Sequence, residues 1–414
     1  MKGTLPTLLV LLILAAPSVI QAQFEYTTNS DGVSITITNY TGSGGVVTVP
    51  TNIDGMTVTS IGDWAFEYAN VTSVTIPGSV NSIGTFAFEL CVLMTNISIS
   101  DGVTSIGDYA FGACNSLGSI AFPGSVTNIG VDLFTACSSL TSITVDPENS
   151  FYSSVDGVLF NKNRTTLMQF PLAVGGNYTI PDSVTNIQSS TFVQCLDLTT
   201  VTIPGSVISI GDFAFQACTG LTSMTIPASV TSIGAWAFVS CTSMTNLTIP
   251  ASVNSIGSDA FWNCNSLTSL TIPGSITNIP ADAFAGLSSV TNVYFLGNAP
   301  AVDSTAFAFD NNATAYYLPG TSGWNDFSTN AGVPTVLWNP VIQTADGSFG
   351  VSNNQFGFNI TGTTNIPIVV EACANLANPV WTPLQTLNLT NGSFYFSEPF
   401  QPNSSGRFYR INSP

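Results

Sequence analysis

Residues 221–241 decide the fold, and they read Leu-Thr-Ser-Met-Thr-Ile-Pro-Ala-Ser-Val-Thr-Ser-Ile-Gly-Ala-Trp-Ala-Phe-Val-Ser-Cys. Leu221, Met224 and Ile226 are separated by polar residues, which is typical of a strand with one buried face. Pro227 has no N–H to donate and therefore ends the strand. Apolar residues then return, a glycine permits a corner, and an aromatic side chain fills the interior. The stretch predicts one coil of a repeating structure.

The same pattern recurs along the chain, and cysteines mark its interval. Within each of two runs the marker cysteines lie 23 residues apart, and 58 residues separate the runs. The markers are Cys91, Cys114, Cys137, Cys195, Cys218, Cys241 and Cys264. A single unit cannot bury its own apolar edge, so stacked units must share a continuous core. We therefore predict a mainly β solenoid with one parallel sheet.

The pattern also resembles that of a known family. The form Leu-x-x-Leu-x-Ile-Pro-x-x-Val-x-x-Ile-Gly-x-x-Ala-Phe-x-x-Cys is matched closely at residues 203–218, 226–241 and 249–264. It is similar to the leucine-rich repeats of BspA-like bacterial surface proteins, sometimes called the Treponema pallidum type, and the likeness runs from about residue 46 to residue 309. The resemblance implies a curved leucine-rich-repeat solenoid with an extracellular adhesive or protein-binding role. It names no ligand.

The amino terminus resembles an export signal. Lys2 provides a positive end, an apolar run follows, and Ala22 offers a small residue before a cleavage site. The run is shorter than the ~20 residues that span a bilayer. We expect a secreted or cell-surface protein that does not insert into a membrane once the signal is removed.

The remaining chain divides by pattern. Turn signals and alternation, without the repeat, predict caps on both ends of the solenoid and a small C-terminal antiparallel β domain. The predicted segments are a signal peptide at 1–22, an N-terminal β cap at 23–45, the solenoid at 46–309, a C-terminal cap at 310–340 and the β domain at 341–414. A hairpin inserted at about 150–175 interrupts the solenoid, either as a spacer or as a projecting contact element.

Composition excludes several classes of function. The chain of 414 residues has a formal net charge of −18, from 23 acidic and 5 basic residues. Apart from Lys2, its cations are Lys162, Arg164, Arg407 and Arg410, too few for a track that follows nucleic-acid phosphates. Histidine is absent, which removes histidine-based catalysis and most zinc and copper sites. We expect no cofactor, no metal, no nucleic-acid partner and no enzymatic activity.

The polar side of the predicted sheet is the candidate binding face. Its outward positions form two columns of small polar residues with few charges nearby. The proposed face comprises Ser73, Thr75, Asn96, Ser98, Ser142, Thr144, Thr200, Thr202, Ser223, Thr225, Asn246, Thr248, Ser269 and Thr271. A plainer explanation is that threonine favours exposed strand positions with no ligand intended. A narrower possibility is binding to a regular lattice such as ice or crystalline polysaccharide.

Three other repeated positions admit two explanations each. The cysteine ladder predicts either disulfides or buried small apolar side chains, and we favour the buried core because the first ladder has three members. Corner carboxylates suit turns, with weak calcium binding as the alternative. Corner aromatic residues suit packing between coils more than carbohydrate stacking. These positions are Asp63, Asp108, Asp212, Asp259 and Asp282 for the carboxylates, and Trp64, Phe86, Tyr109, Phe213 and Trp236 for the aromatics.

Three functions therefore stand as hypotheses. The leading one is an adhesion or interaction protein that binds an unidentified protein or glycan through the sheet face. The second is a purely architectural component of the cell envelope that displays the terminal β domain. The third is a carboxylate-based glycan hydrolase.

Overall fold

A computed structural model describes residues 23–310, 312–400 and 406–412, so the predicted signal peptide lies outside the described residues. The chain divides into two compact units, Met1–Val174 and Gly175–Pro414. Both units contain coils that stack through parallel strands. The predicted mainly β solenoid is confirmed.

One side of each coil carries the strand predicted from the alternating pattern, and we call these strands the front strands. In the first unit they are Gly45–Thr48, Val71–Ile76, Asn96–Ile99, Ser119–Phe122 and Ser142–Val145. In the second unit they are Gly176–Thr179, Leu198–Thr202, Ser223–Thr225, Ser269–Ile272, Asn292–Phe295, Thr314–Tyr317 and Thr335–Leu337. Two parallel bridges, Ser223 to Asn246 and Thr248 to Thr271, connect the coil between Ser223–Thr225 and Ser269–Ile272 to its neighbours.

A second side of each coil forms a shorter parallel ladder that the sequence did not predict. Most of its strands are two residues long, too short to show alternation. In the first unit they are Met56–Ile61, Ser82–Ile83, Ser105–Ile106 and Asn128–Ile129. In the second unit they are Asn186–Ile187, Ser209–Ile210, Ser232–Ile233, Ser255–Ile256, Asn278–Ile279 and Ala301–Val302.

The third side of each coil is a chain of turns joined directly to the next coil. Phe86, Phe88 and Leu90 donate their backbone N–H groups to carbonyls 22 residues further on, at 2.8–2.9 Å. Phe86 and Leu90 both have left-handed backbones, with φ of 56° and 59°. The turns thus satisfy their backbone groups between coils without forming strands.

Stacked phenylalanine rings fill the interior. In the first unit Phe66, Phe88, Phe111 and Phe134 stack with centroids 4.8–5.9 Å apart. The second unit repeats this with separations of 4.7–5.6 Å, through Phe192, Phe215, Phe238, Phe261, Phe284 and Phe307. All ten rings are buried. Each coil therefore hides its aromatic face only because a neighbouring coil covers it.

Elements that do not belong to the repeat lie before the coils of the first unit and after the coils of the second. At the amino end Phe24–Thr28 pairs antiparallel with Ser34–Tyr40, which in turn lies parallel to Met56–Ile61. Asn52–Ile53 forms a short antiparallel pair with Met56–Ile61. In the second unit the helix Trp324–Ala331 packs Trp324 and Phe327 against Phe295, at centroid distances of 5.0 Å.

The insertion in the first unit folds onto the coils. It consists of the antiparallel strands Tyr152–Val155, Val158–Asn161 and Thr166–Gln169. Val158, Leu159 and Phe160 are buried, and the Lys162 Nζ donates to the carbonyl of Pro147 at 3.0 Å and to that of Asn149. These contacts favour the spacer explanation over a projecting contact element.

Residues 341–400 and 406–412 form two antiparallel sheets. One contains Val341–Ile342, Gly350–Ser352, Gln355–Thr361 and Ser393–Pro399, and the other contains Pro367–Cys373, Thr382–Asn388 and Phe408–Asn412. The two sheets share one apolar core, to which Phe358, Ile360, Ile368, Val370 and Phe396 contribute. We call this part the terminal β domain.

Candidate functional site

The proposed binding face is positioned by the register of the front strands. Ser73 pairs with Asn96 and Thr75 with Ser98, and both columns continue one coil at a time. The same one-coil step joins Thr200 to Ser223 and Thr202 to Thr225. Parallel strands in register place equivalent side chains on the same side, about 4.8 Å apart. We call the two columns of exposed or half-buried polar side chains the hydroxyl face.

Within the first unit the insertion ends the hydroxyl face. Ile143 donates its N–H to the carbonyl of Gly157 at 2.8 Å, and Val145 donates to the Ser154 Oγ at 3.0 Å. The insertion therefore occupies the edge to which another coil would add, and Ser142 and Thr144 lie on the last front strand before it. The repeat pattern does not predict this pairing, because the pairing joins a repeat to a segment that is not repeated.

Within the second unit the terminal β domain ends the hydroxyl face. Thr271 pairs with Tyr294 and Tyr294 with Tyr316, so two tyrosines continue the column that threonines began. Both tyrosines are buried, and they share a core with residues of the terminal β domain. The Trp338 indole also donates to the carbonyl of Pro367 at 2.9 Å. The open part of this face runs from Thr200 to Thr271.

A shallow depression of about 180 Å³ lies in this open part. It is lined by the polar side chains of Thr200, Thr202, Ser223 and Thr225 and ends at Pro227. Hydroxyl groups can both donate and accept hydrogen bonds, so the depression offers uncharged partners of both kinds. No charged side chain lines it.

The cysteine ladder lies in the buried core of the coils. All eight cysteines of the chain are free and buried. The Cys91 and Cys218 thiols each donate to the carbonyl of a phenylalanine, Phe66 and Phe192, at 3.1 and 3.0 Å. Burial raises the pKa of both thiols to about 12. A thiol so held is protonated at neutral pH and is a poor nucleophile.

The corner carboxylates connect successive coils. Asp63, Asp108 and Asp212 each accept a backbone N–H from the following coil at 2.8 Å. Asp259 differs, because burial and then the charge of Asp282 raise its pKa. Among the residues that the structure describes, no three cysteines or carboxylates are grouped as metal ligands would be. The hydrogen bonds support the turn explanation of these positions.

The corner aromatics stack on one another. Trp64, Phe86 and Tyr109 have centroids 5.7 and 5.0 Å apart with nearly parallel rings, and Phe213 lies 6.0 Å from Trp236. Their faces are therefore engaged by neighbouring coils, while carbohydrate stacking requires an open face. This geometry favours packing between coils.

Sequence reasoning missed one buried carboxyl group. The Asp310 Oδ1 accepts the backbone N–H of Leu287 at 2.6 Å, in the unit where leucine replaces the marker cysteine. Its Oδ2 is buried without a hydrogen-bond partner, and burial raises the pKa of Asp310 from 3.8 to about 7. Only a departure from the repeat near its end could have suggested this position.

The coils, their front strands and the repeated turns define a leucine-rich-repeat solenoid. The model of the BspA type leucine rich repeat region matches residues 51–167 and 177–319, in six copies. The chain belongs to this family. None of the curated proteins compared with the chain matches it.

Several solved structures are similar to parts of this chain. The pneumococcal vaccine antigen PcpA has 21% sequence identity and a TM-score of 0.66, over 76% of this chain and 96% of that chain. A leucine rich cell surface protein from Faecalibacterium prausnitzii has 26% identity and a TM-score of 0.43, over 67% and 94%. The T. pallidum leucine rich repeat protein has 27% identity and a TM-score of 0.35, over 59% and 88%. The first likeness shows the fold.

Across residues 23–310, 312–400 and 406–412, none of the helices has the length and apolar character that crossing a bilayer requires.

Proposed function

We propose that this chain is an exported, non-enzymatic interaction protein that binds a protein or glycan through its hydroxyl face. One observation carries the proposal: two columns of small polar side chains stand in register and exposed along stacked front strands. Membership of the BspA type leucine rich repeat family supports it. Repeat solenoids also commonly bind partners along extended surfaces.

Electrostatics favours an uncharged partner at the hydroxyl face. The depression at Thr200, Thr202, Ser223 and Thr225 provides hydroxyl groups without a charge, whereas the whole chain carries −18. A partner that approaches this face avoids desolvating carboxylates, which would cost several kcal/mol for each buried charge. Neutral glycans and polar protein surfaces fit this requirement.

The test is a binding assay with bulky charges placed on the face. Ser223→Arg and Thr225→Arg lie in the depression, while Thr277→Arg places the same charge at an exposed position outside it. We expect the first two variants to lose retention on a glycan array and in a partner pull-down, and the control to keep it. Equal retention by all three would remove the hydroxyl face as the binding surface.

Deleting the terminal β domain would not be a clean test of the architectural alternative. Removing the terminal β domain would expose Tyr294 and Tyr316, which it buries. Charge variants of the hydroxyl face leave that core intact, so they separate binding from support. Unchanged surface assembly together with lost ligand binding would favour the interaction function.

A further inference from the structure

A groove of about 740 Å³ lies in the terminal β domain, apart from the hydroxyl face. It is lined by the end of the strand Ser393–Pro399, the start of the strand Phe408–Asn412 and the loop after Cys373. Its volume lies within the range of small-molecule sites, roughly 300–1,000 Å³. Nothing in the repeat pattern predicted it, because its walls come from segments that are distant in sequence.

Arg407 and Glu398 form an ion pair in the groove, and Arg407 is the member that can bind a ligand. The Glu398 Oε1 accepts the hydroxyl of Tyr409, and its Oε2 pairs with the Arg407 Nη1 at 3.1 Å. Both carboxylate oxygens are thus engaged, and the Glu398 side chain is 17% exposed against 40% for Arg407. A guanidinium has five N–H donors, so Arg407 keeps donors for a further carboxylate.

The remaining lining suits a sugar ring. Asn378 provides an amide that can donate and accept, as neighbouring sugar hydroxyls require. The Asn375 Oδ1 accepts the backbone N–H of Ala377 at 2.9 Å, and its amide N–H groups remain as donors. Phe356, Val380 and Phe400 provide apolar surface against which the C–H groups of a pyranose can pack. The combination of amides, an arginine and apolar walls matches an acidic saccharide in both its charged and its apolar parts.

The floor of the groove offers no unpaired strand edge to an extended peptide. The strand Pro367–Cys373, which contributes to the floor, is paired on one side with Thr382–Asn388 and on the other with Phe408–Asn412. A peptide that joins a sheet needs an unpaired edge, and this strand has none. Recognition at the floor must therefore use side chains.

We propose that this groove binds a uronic-acid-containing oligosaccharide, with Arg407 contacting the carboxylate and Asn375 and Asn378 contacting hydroxyls. The proposal is independent of the hydroxyl face, which lies on the coils. It adds a second recognition site to the chain and assigns that site an anionic rather than a neutral ligand.

Calorimetric titration of the full chain with trigalacturonic acid tests the site. The trimethyl ester of the same trisaccharide removes the charge alone, and we expect it to bind at least about tenfold more weakly. Arg407→Gln should weaken binding of the acid roughly 10- to 100-fold, as expected for a lost charge-assisted hydrogen bond. Arg410→Gln is the matched control, because Arg410 pairs with Glu371 and lies over Trp381, outside the groove lining.

The outcomes are distinguishable from those of the hydroxyl face. Ser223→Arg should leave binding of trigalacturonic acid unchanged. Thermal melting of Arg407→Gln checks that the variant is folded, and Asn375→Ala provides a second, uncharged change in the lining. The proposal is overturned if trigalacturonic acid does not bind, or if its trimethyl ester binds equally well. Equal binding of triglutamate, an acidic peptide without a sugar ring, would also overturn it. So would folded Arg407→Gln that binds trigalacturonic acid as the unaltered chain does.

Discussion

The coils and the terminal β domain are both built from β-strands, yet they choose strand partners in different ways. In the coils most front strands pair with an equivalent one 23 residues away, as Ser73 does with Asn96. In the terminal β domain Gln355–Thr361 pairs with Ser393–Pro399, and no repeat relates them. In the coils the repeat determines which strands pair and in which register. In the terminal β domain strand pairing depends on how the whole core of the domain packs.

The two regions also differ in the kind of surface that they present. The coils present an extended face on which small polar side chains repeat once per coil. The terminal β domain presents one concave groove. An extended face suits a ligand with many weak contacts, whereas a groove concentrates a few strong ones. The predictions below change one region and use the other as its reference.

Thiol reactivity should separate the regions most strongly. Burial raises the pKa of Cys91 and Cys137 from 9.0 to about 12, which lowers their thiolate fraction about a thousandfold. Cys373 is also buried, but it lies in the lining of the groove, where a small reagent can approach it. We expect a disulfide reagent at pH 8 to modify Cys373 first in the folded chain, as peptide mass spectrometry would show. Ladder thiols that react as fast as Cys373 would contradict a closed core.

Loss of one stacked ring should give the next largest effect. Phe238 lies between Phe215 and Phe261, at 5.1 and 5.2 Å, and is fully buried. We expect Phe238→Ala to lower the free energy of unfolding by about 3–5 kcal/mol in urea titrations. Phe213→Ala is the control, because Phe213 is partly exposed at a corner. Equal costs for the two variants would argue against the continuous aromatic core.

Restoring the repeat residue under the terminal β domain should be destabilising. Tyr294 occupies the column position of Thr271 but is buried against that domain. We expect Tyr294→Thr to cost roughly 3 kcal/mol, because it removes buried aromatic surface and leaves a cavity. Thr271→Val should change stability by less than about 0.5 kcal/mol. Similar stabilities of the two variants in thermal melts would show that the domain does not depend on this contact.

Protonation of Asp310 should make the stability of the folded chain depend on pH. Its folded pKa of about 7 exceeds its ordinary value of 3.8, so the folded chain retains the proton that the unfolded chain releases. The stability that this group contributes is therefore greatest below about pH 4 and is lost as the pH rises to about 7. We expect melting temperatures to fall over this interval more steeply than in Asp310→Asn. Parallel pH profiles would contradict the raised pKa.

The sequence predicted the coils better than the sites. Apolar alternation around Met224 and the cysteine interval were enough for the fold, because every coil repeats the same burial pattern. The outward columns followed from the same alternation. Their ends at Gly157 and Tyr294 did not, because each depends on contact with a non-repeated segment.

The groove at Arg407 lay beyond sequence reasoning for the same physical reason. Its walls come together only when two antiparallel sheets pack, and no spacing of residues along the chain predicts this packing. Arg407 did stand out as one of few cations in an acidic chain. That signal alone does not distinguish a surface ion pair from a binding group.

Spin labelling tests the stacking of the coils most directly. Nitroxide labels on cysteines introduced at Thr202 and Thr225 should lie one coil apart, about 5 Å between backbones, and labels at Thr202 and Thr271 three coils apart, about 14 Å. A Cys373→Ala background prevents labelling in the groove. The stacked coils predict strong dipolar broadening for the first pair and much weaker broadening for the second. Equal broadening, or the reverse order, would contradict a face built from coils in register.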